Sequence, residues 1–475
     1  MGYAPDGTSK IFDGLLARRA DLTLMPALAE ALPEVSDGGL TYAFRLRDGV
    51  EFHDGEPLRA DDVVFTYETI LDARTESPLR GGLDMISSVE APDERTVTFQ
   101  LAYPYAPFAQ RVLIGIVPRH AFDGVDVRGA PFNTAPVGTG PFAFDEWAPG
   151  DRLTLRANEG YWGGAPAVKR LVLAFAPDDS VRAARMERGD FDATHLPPEE
   201  AARFRDRTGL RVFDVPSADY RGVMFPLEAP VTGDPAIRLA LDRAIDRDAI
   251  VQELLDGSGE PAHGPIAPNS PFFNPAVLPE REGDVEAARA ILDDAGWVLG
   301  PDGTTRARDG QPAVFTLLYP ARDTLREGLA MAVASAGAQV GIDVRVEGLD
   351  WAAIRPRMAS DALIMGWGTP YDPDFTNYEL FHSQGSANPG GPRDPDVDRL
   401  LDEGRQTAHP EARKAAYDEL QLRLSEHAVW TWLVYLDHIY VVSDRFDGLE
   451  VQVDPHEHGL THGIWWNIER WKPRQ

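Results

Sequence analysis

The sequence predicts an α/β protein of two lobes, together with a small α+β unit. Strand-like and helix-like segments alternate twice, over residues 169–215 and again over residues 313–367. Such alternation is typical of parallel strands joined by right-handed helical crossovers. At 475 residues the chain is also too long for one hydrophobic core, so it should divide into domains.

The segment that precedes the first alternation has short strands and one helix. Residues 42–58 alternate apolar and polar side chains around two Asp-Gly turns, which predicts a pair of short strands. Asp61 and Asp62 then begin a helix with apolar residues along one face. Strand-like runs at 97–101 and 112–117 complete this α+β unit.

The first α/β region follows from about residue 135, and we expect its strands to pair in parallel. Its predicted elements are strands at 169–175, 191–196 and 210–215 and helices at 179–189 and 197–206.

The second region repeats the pattern. Asp234 and Asp246 are typical N-caps, and they predict two helices within residues 234–257. The elements predicted after them are strands at 313–319, 342–348 and 362–367, a helix at about 323–340 and a short helix from Trp351 to Met358.

Composition excludes several classes of protein. The chain contains no run of about eighteen apolar residues, so we expect no membrane span. The first residues show neither a basic nor an apolar signal region, so no signal peptide is expected. The net charge of -30 disfavours nucleic acid and anionic lipid as partners. Cysteine is absent, which removes disulfides and thiolate chemistry.

The loop at residues 366–375, GWGTPYDPDF, leaves the end of a predicted buried strand. Ligands of open α/β sheets bind beyond the carboxyl ends of the strands. Trp367 and Tyr371 are therefore candidates for a binding wall, and the prolines of the loop would hold the rings in place. Asp372 could meet a cationic group or cap the adjacent turn. The alternative is that the aromatic rings only cover the end of the strand.

Further polar candidates lie on other segments. Arg221, beside Tyr220 at the start of a strand, could clamp a carboxylate or pair with an acidic residue of the chain. His382 could contact a ligand or be a surface residue.

The sequence DPHEHGLTHG at 454–463 contains the one histidine cluster, formed by His456, His458 and His462. Neutral imidazoles suit nickel, zinc or copper, and the alternative is a polar turn. No Walker loop, His-Glu-x-x-His or Gly-x-Ser-x-Gly motif occurs, and the Gly-x-Gly at 138–140 leads into a strand rather than a helix.

Several long segments, in order along the chain, resemble the peptide- and nickel-type solute-binding proteins of ABC importers (family five). The resemblance runs from about residue 8 to the C-terminus and implies a two-lobed, type II periplasmic-binding-protein-like fold. The segments that resemble the family are LTYAFRLRDGVEFHDGEPLRADDVVFTYETIL, APVGTGPFAFDEWAPGDRLTLRANEGYWGGAPAVKRL, DPAIRLALDRAIDRDAIV and IMGWGTPYDPDF. The domain bounds that we expect are 1–20 with 135–225 and 438–475 for the first lobe, 21–134 for the inserted domain and 226–437 for the second lobe.

The resemblance also shows departures from the family. The usual signal and first strand are missing, which we attribute to a shortened or processed start. Peptide binders often carry an aspartate where this chain has Pro370 and Tyr371. The form Trp-Gly-x-Pro-Tyr-Asp-Pro resembles the nickel- and metallophore-binding branch of the family. By this resemblance, Trp367 and Tyr371 correspond to the cleft tryptophan and tyrosine of that branch. That branch's cleft arginine is replaced by an apolar residue near Ile114.

The resemblance implies the substrate-binding subunit of an ABC importer, with no enzymatic activity and no cofactor. The expected ligand is a small peptide or peptide-like solute held in an interlobe cleft, or else a nickel or metal chelate. We also include Thr8 and Ser9, where the resemblance begins, among the expected ligand-binding residues. The expected partners are ABC permease subunits, and the expected state is a monomer outside the cytoplasm. A metal-dependent hydrolase that uses the histidine cluster is the alternative from another class.

Overall fold

The structure is a computed structural model that describes residues 9–301, 303–369, 371–388, 390–454 and 459–474. Its contacts divide the chain into two units. The first unit comprises the described residues up to Val215, then Arg405–Ala408 and the residues from His438 onward. The second unit comprises Pro216–Gly404 and His409–Asp437.

The chain begins in the first unit and leaves it through a long strand. The elements of this part are β1 (Leu16–Arg18), β2 (Leu24–Pro26), β3 (Glu34–Ser36), β4 (Thr41–Arg45), α1 (Ala60–Leu71), β5 (Ile86–Asp93), β6 (Thr96–Leu101), α2 (Phe108–Arg111), β7 (Phe142–Ala148), β8 (Arg152–Ala157), β9 (Arg170–Ala174), α3 (Asp179–Glu187), β10 (Ala193–Leu196), α4 (Pro198–Ala202) and β11 (Leu210–Met224).

The second unit follows, and another long strand returns the chain to the first unit. The remaining elements are α5 (Pro235–Ala244), α6 (Arg247–Leu254), β12 (Gly259–Pro261), α7 (Val285–Asp294), β13 (Val298–Leu299), β14 (Arg306–Arg308), β15 (Gln311–Pro312), β16 (Val314–Pro320), α8 (Thr324–Val340), β17 (Asp343–Leu349), α9 (Trp351–Ile354), β18 (Ala362–Gly368), α10 (Asp374–Phe381), α11 (Pro395–Gln406), α12 (Pro410–Glu426), β19 (Trp430–Ser443), β20 (Phe446–Asp447) and β21 (Lys472–Pro473). None of the helices among these described residues is long and apolar enough to span a membrane.

Residues 21–134 contain an antiparallel sheet with the strand order β3-β4-β6-β5 and most of a hydrophobic cluster that also includes Leu15 and Leu16. Helix α1 begins where predicted, because the Asp62 side chain accepts a hydrogen bond from the backbone N–H of Arg59. The predicted strand pair within 42–58 is wrong. Strand β4 pairs with β3 and β6, whereas the residues after it form only isolated bridges, Leu46 with Ala29 and Glu51 with Pro57. The strand predicted at 112–117 is also absent from this described region.

The first α/β region has the predicted order of elements but not the predicted pairing. Strand β9 pairs antiparallel with β8, which pairs antiparallel with β7. Strand β10 pairs antiparallel with β19, from the far end of the chain. The prediction of parallel pairing failed because local alternation does not identify partners that lie distant in sequence.

The second unit confirms the pairing predicted for its own region. Its sheet has the order β19-β11-β18-β16-β17, in which β16 pairs in parallel with both β17 and β18. The cap predictions are confirmed as well. Asp234 accepts from the N–H of Ala236, and Asp246 accepts from the N–H of Ala249, each at 2.9 Å.

Two strands carry residues of both units. Strand β11 passes the boundary at Val215, and β19 passes it at Asp437. Strand β11 is continuous over 15 residues. The lobe bounds expected from the sequence, with the second lobe at 226–437, stay a prediction.

Candidate functional site

Strands β11 and β18 determine which candidate side chains share a face of the sheet. Tyr220 lies opposite Trp367, and Arg221 lies opposite Gly366. Because successive side chains of a strand point to opposite faces, Trp367 and Tyr220 belong to one face and Arg221 to the other. The sequence did not predict this separation of Trp367 from Arg221, since it requires the pairing register.

Trp367 is half-buried and lines a cavity of about 330 Å³ that lies within the second unit. It lies near the carboxyl end of β18, which pairs in parallel with β16, and contact between Trp367 and a ligand stays a prediction. The residues that line this cavity are Met224, Met358, Met365, Trp367, Gly385, Ser386, Ala387 and Asn388. We name it the methionine pocket.

The segment 385–388 is held in place by hydrogen bonds to the end of α10. The N–H of Gly385 donates to the carbonyl of His382 at 2.8 Å, and the Asn388 amide donates to the same carbonyl at 2.9 Å. The N–H of Ala387 donates to the carbonyl of Glu379 at 3.0 Å. A Cβ on Gly385 would lie 2.3 Å from that Glu379 oxygen, so only glycine permits the close approach.

His382 is buried beneath this segment rather than exposed at the surface. Its ring stacks on Tyr378 at 4.3 Å between centroids, and its Nδ1 accepts from the N–H of Gln384 at 3.1 Å. These contacts give His382 a positioning function for one wall of the pocket. A direct contact between His382 and ligand stays a prediction.

The carboxylate of Asp372 is buried and fully engaged within the protein. The Arg413 guanidinium donates to both of its oxygens, at 2.9 and 2.6 Å. The N–H of Asp374 donates to it at 3.0 Å, which is the turn-capping alternative considered from the sequence. Burial opposes the charge of Arg413, but the hydrogen bonds to Asp372 raise its pKa.

The two tyrosine candidates differ in their exposure. Tyr220 is fully buried against Trp430 and Tyr435, and this burial raises its pKa. It therefore supports the sheet behind Trp367 and has no exposed surface to offer a ligand. Tyr371 is half-buried, while the neighbouring Pro370 lies outside the described residues.

On the other face of β18, two arginines lie over Gly366. A Cβ at this glycine would lie 2.5 Å from Arg221 Nη1 and 2.8 Å from Arg326 Nη2. Arg221 forms an ion pair with Asp219, as the alternative reading of the sequence expected. Burial, together with the charge of Arg221, lowers the pKa of Arg326. No sequence pattern marked Arg326, which reaches this place from α8.

Ser9 and His462 line a second cavity, of about 380 Å³, within the first unit. Asp13 lies in its wall and accepts hydrogen bonds from Trp162 Nε1 at 2.8 Å and from the Tyr161 hydroxyl at 3.3 Å. Asp13 is half-buried in this wall. This burial raises the pKa of Asp13 to about 6, against the lowering effect of the two hydrogen bonds.

Of the remaining candidates, the structure describes only His462. Thr8, His456 and His458 lie outside the described residues. His462 is buried, and its Nε2 lies 3.1 Å from the Thr461 hydroxyl. Over the described ranges, no group of three or more histidine or acidic residues has the arrangement of a metal site. The metal site at the histidine cluster stays a prediction.

Comparison with known proteins now identifies the class. Residues 23–389 match the profile of the bacterial extracellular solute-binding proteins, family 5. Because the match covers most of the chain, the chain belongs to this family. Its fold is the mixed α/β, type II binding-protein fold that the sequence predicted.

Individual relatives agree with this assignment. Protein XP55 of Streptomyces lividans is 48% identical over 458 residues, which cover 96% of this chain and 84% of that protein. NikZ of Campylobacter jejuni, solved in complex with Ni(L-His), has a TM-score of 0.86 at 29% identity over 97% of this chain and 94% of its own. The oligopeptide-binding protein AppA of Bacillus subtilis, solved with a nonapeptide, has a TM-score of 0.82 at 26% identity over 99% of this chain and 94% of its own.

Membership of the family confirms two predictions, namely that the chain is a transport binding protein and that it is not an enzyme. Family 5 proteins are substrate-binding proteins of ABC transporters that act outside the cytoplasm, and they are not enzymes. The chain is therefore a transport binding protein, and the alternative of a metal-dependent hydrolase is dropped.

The environment of Asp13 generates a prediction about pH. Its pKa of about 6 in the folded protein lies above the ordinary 3.8, so folding favours the protonated carboxyl. The stability that this proton gives is present below pH 3.8 and is lost as the pH rises through about 6. The difference in pKa corresponds to at most about 3 kcal/mol.

The variant Asp13→Asn should remove this loss, because its amide does not ionise. The free energy of unfolding of the variant, relative to wild type, should rise between about pH 4 and pH 7. Urea denaturation at both pH values measures the change, with the exposed Asp145→Asn as the matched control. Parallel pH profiles for wild type and Asp13→Asn would contradict the prediction.

Proposed function

We propose that this chain captures a small peptide or peptide-like solute and delivers it to an ABC permease. The observation that supports this most directly is the half-buried ring of Trp367 beside the methionine pocket, at the carboxyl end of β18. A rigid aromatic ring there offers a large apolar contact at a small cost in conformational entropy.

The chemistry of the pocket favours an organic solute over a bare metal ion. Its lining side chains are thioethers, an indole, small groups and one amide. Imidazole is the side chain that suits nickel, and no histidine lines this pocket. The second candidate ligand is a metal chelate that presents an organic surface. Similarity to NikZ, which was solved with bound Ni(L-His), is the reason to include nickel chelates in the ligand screen.

The transporter context supplies the partners of this proposal. We expect the loaded protein to dock on permease subunits and to act as a monomer, as a single-site carrier requires no second copy. The net charge of -30 gives no attraction to anionic lipid headgroups, so permease contacts rather than lipid contacts should bring it to the membrane.

A ligand screen by thermal shift tests the proposed function. A solute that binds only the folded protein, at about one hundred times its Kd, adds roughly 2.7 kcal/mol to the free energy of unfolding. Among short peptides, opines and nickel chelates, we expect peptides to raise the Tm. A rise with nickel chelates and none with peptides would replace the proposal by its second candidate. No rise with any class would contradict both.

Removal of the Trp367 ring should weaken binding more than it weakens the fold. Trp367→Ala should lower the affinity for a stabilising peptide by about tenfold or more, as at other aromatic anchors. Because the ring is only half-buried, the free energy of unfolding should fall by less than the about 3 kcal/mol typical of a core aromatic. Calorimetric titration and urea denaturation measure the two quantities.

The control for this prediction is Trp351→Ala, which removes an exposed tryptophan of the same unit that does not line the pocket. It should leave affinity unchanged. A large loss of stability in Trp367→Ala, with unaltered affinity per folded molecule, would assign Trp367 to packing alone.

A further inference from the structure

The methionine pocket draws three of the chain's eight methionines to one place. Met224 comes from β11 and Met365 from β18, two residues before Trp367 on the same face. Met358 directly follows the turn Arg355–Arg357, between α9 and β18. Met224 is buried, whereas Met358, Met365 and Trp367 are half-buried and keep exposed surface.

The two sides of this pocket differ in rigidity. The wall at 385–388 is fixed by its hydrogen bonds to the carbonyls of Glu379 and His382. Three of the remaining four lining residues are methionines, whose side chains are unbranched, polarisable and able to change rotamer around occupants of different shape. A pocket lined by both a fixed backbone segment and adaptable thioethers suits an apolar group of variable shape.

The volume and the charge of the pocket limit what it can take. About 330 Å³ accommodates one large amino-acid side chain. None of the side chains that line it is ionisable. A charged group placed there would lose hydration without gaining an ion pair, so the pocket should reject it. A large apolar side chain would instead exchange water for contact with sulfur atoms and the Trp367 ring.

We infer that the methionine pocket takes one large apolar side chain of the bound solute, and that it tolerates leucine, methionine and phenylalanine alike. This inference rests on the proposed function and narrows its substrate class to peptides with such a side chain. Met358 and Met365 are then specificity-determining residues, while His382 positions the segment 385–388 of the same pocket.

Peptide series measure the inference directly. The tripeptides X-Ala-Ala, Ala-X-Ala and Ala-Ala-X are titrated calorimetrically, with X as Leu, Met, Phe, Asn, Glu or Lys. At one position, the three apolar residues should bind within a fewfold of each other and about tenfold or more tighter than Glu and Lys. Equal affinities at every position would overturn the inference and leave the proposed function standing. Binding of none of the tripeptides would overturn both.

Substitution inside the pocket gives a second readout. Met365→Glu should reverse the preference at that position, so that Lys binds more tightly than Leu, while Met365→Leu should preserve the apolar preference. If Met365→Glu does not fold, Met358→Glu serves instead, because Met358 lies outside the strands. An unchanged preference in the folded Glu variant would overturn the inference.

Methyl NMR of the wild-type protein can show whether the peptide side chain occupies the methionine pocket. With ¹³C-methyl methionine, the Leu tripeptide should shift the signals of Met224, Met358 and Met365. The buried Met186 and the exposed Met331 provide reference signals away from the pocket. Shifts that exclude all three pocket methionines at saturation would place the side chain elsewhere and overturn the inference.

Discussion

The buried ion pair of Asp372 and Arg413 is the interaction on which the chain beyond β18 depends. Arg413 reaches from α12 and donates to both carboxylate oxygens of Asp372, while its Nε donates to the carbonyl of Gly404 at 2.7 Å. Loss of one partner of such a pair leaves an uncompensated buried charge, at a cost of about 3 to 5 kcal/mol. The pair therefore joins α12 to the loop that carries Tyr371, one residue before the buried carboxylate.

The same loop leads into α10, and α10 fixes the wall of the methionine pocket. Asp372 caps the N–H of Asp374 at the start of α10. At the far end, the carbonyls of Glu379 and His382 accept the hydrogen bonds of segment 385–388. From the sequence, Asp372 was a candidate for contact with the ligand, but its carboxylate instead stabilises the loop and helix beside the pocket. The pocket itself has no charged residue in its lining.

The fold of the second unit was predictable because its signals are local. Alternation of β16, α8, β17 and β18 predicted both the elements and their parallel order, and Asp234 and Asp246 predicted two helix starts. Pairing between strands that lie far apart in the sequence has no such local signal. Strand β10 pairs with β19 near the end of the chain, and β4 pairs not only with its neighbour β3 but also with β6, which follows α1 and β5 in the sequence.

The residues of the candidate site also divide into those that local sequence predicts and those that only the folded structure reveals. Trp367 was predictable from its place after a buried strand, and Met365 could have been added from strand alternation alone. Met224, Met358 and segment 385–388 come from separate parts of the chain, so only the folded structure identifies them as neighbours. Arg413 lies 41 residues from Asp372, and nothing in either segment marks the pair.

If this binding protein carries peptides whose apolar side chain occupies the methionine pocket, protein purified from its own host should retain such peptides. Native mass spectrometry can identify the retained ligand, because the protein is weighed before and after the ligand is released. We expect a short peptide, or a set of peptides, that share a large apolar residue. A retained nickel chelate, or peptides with only charged and small side chains, would show that the pocket does not have this role.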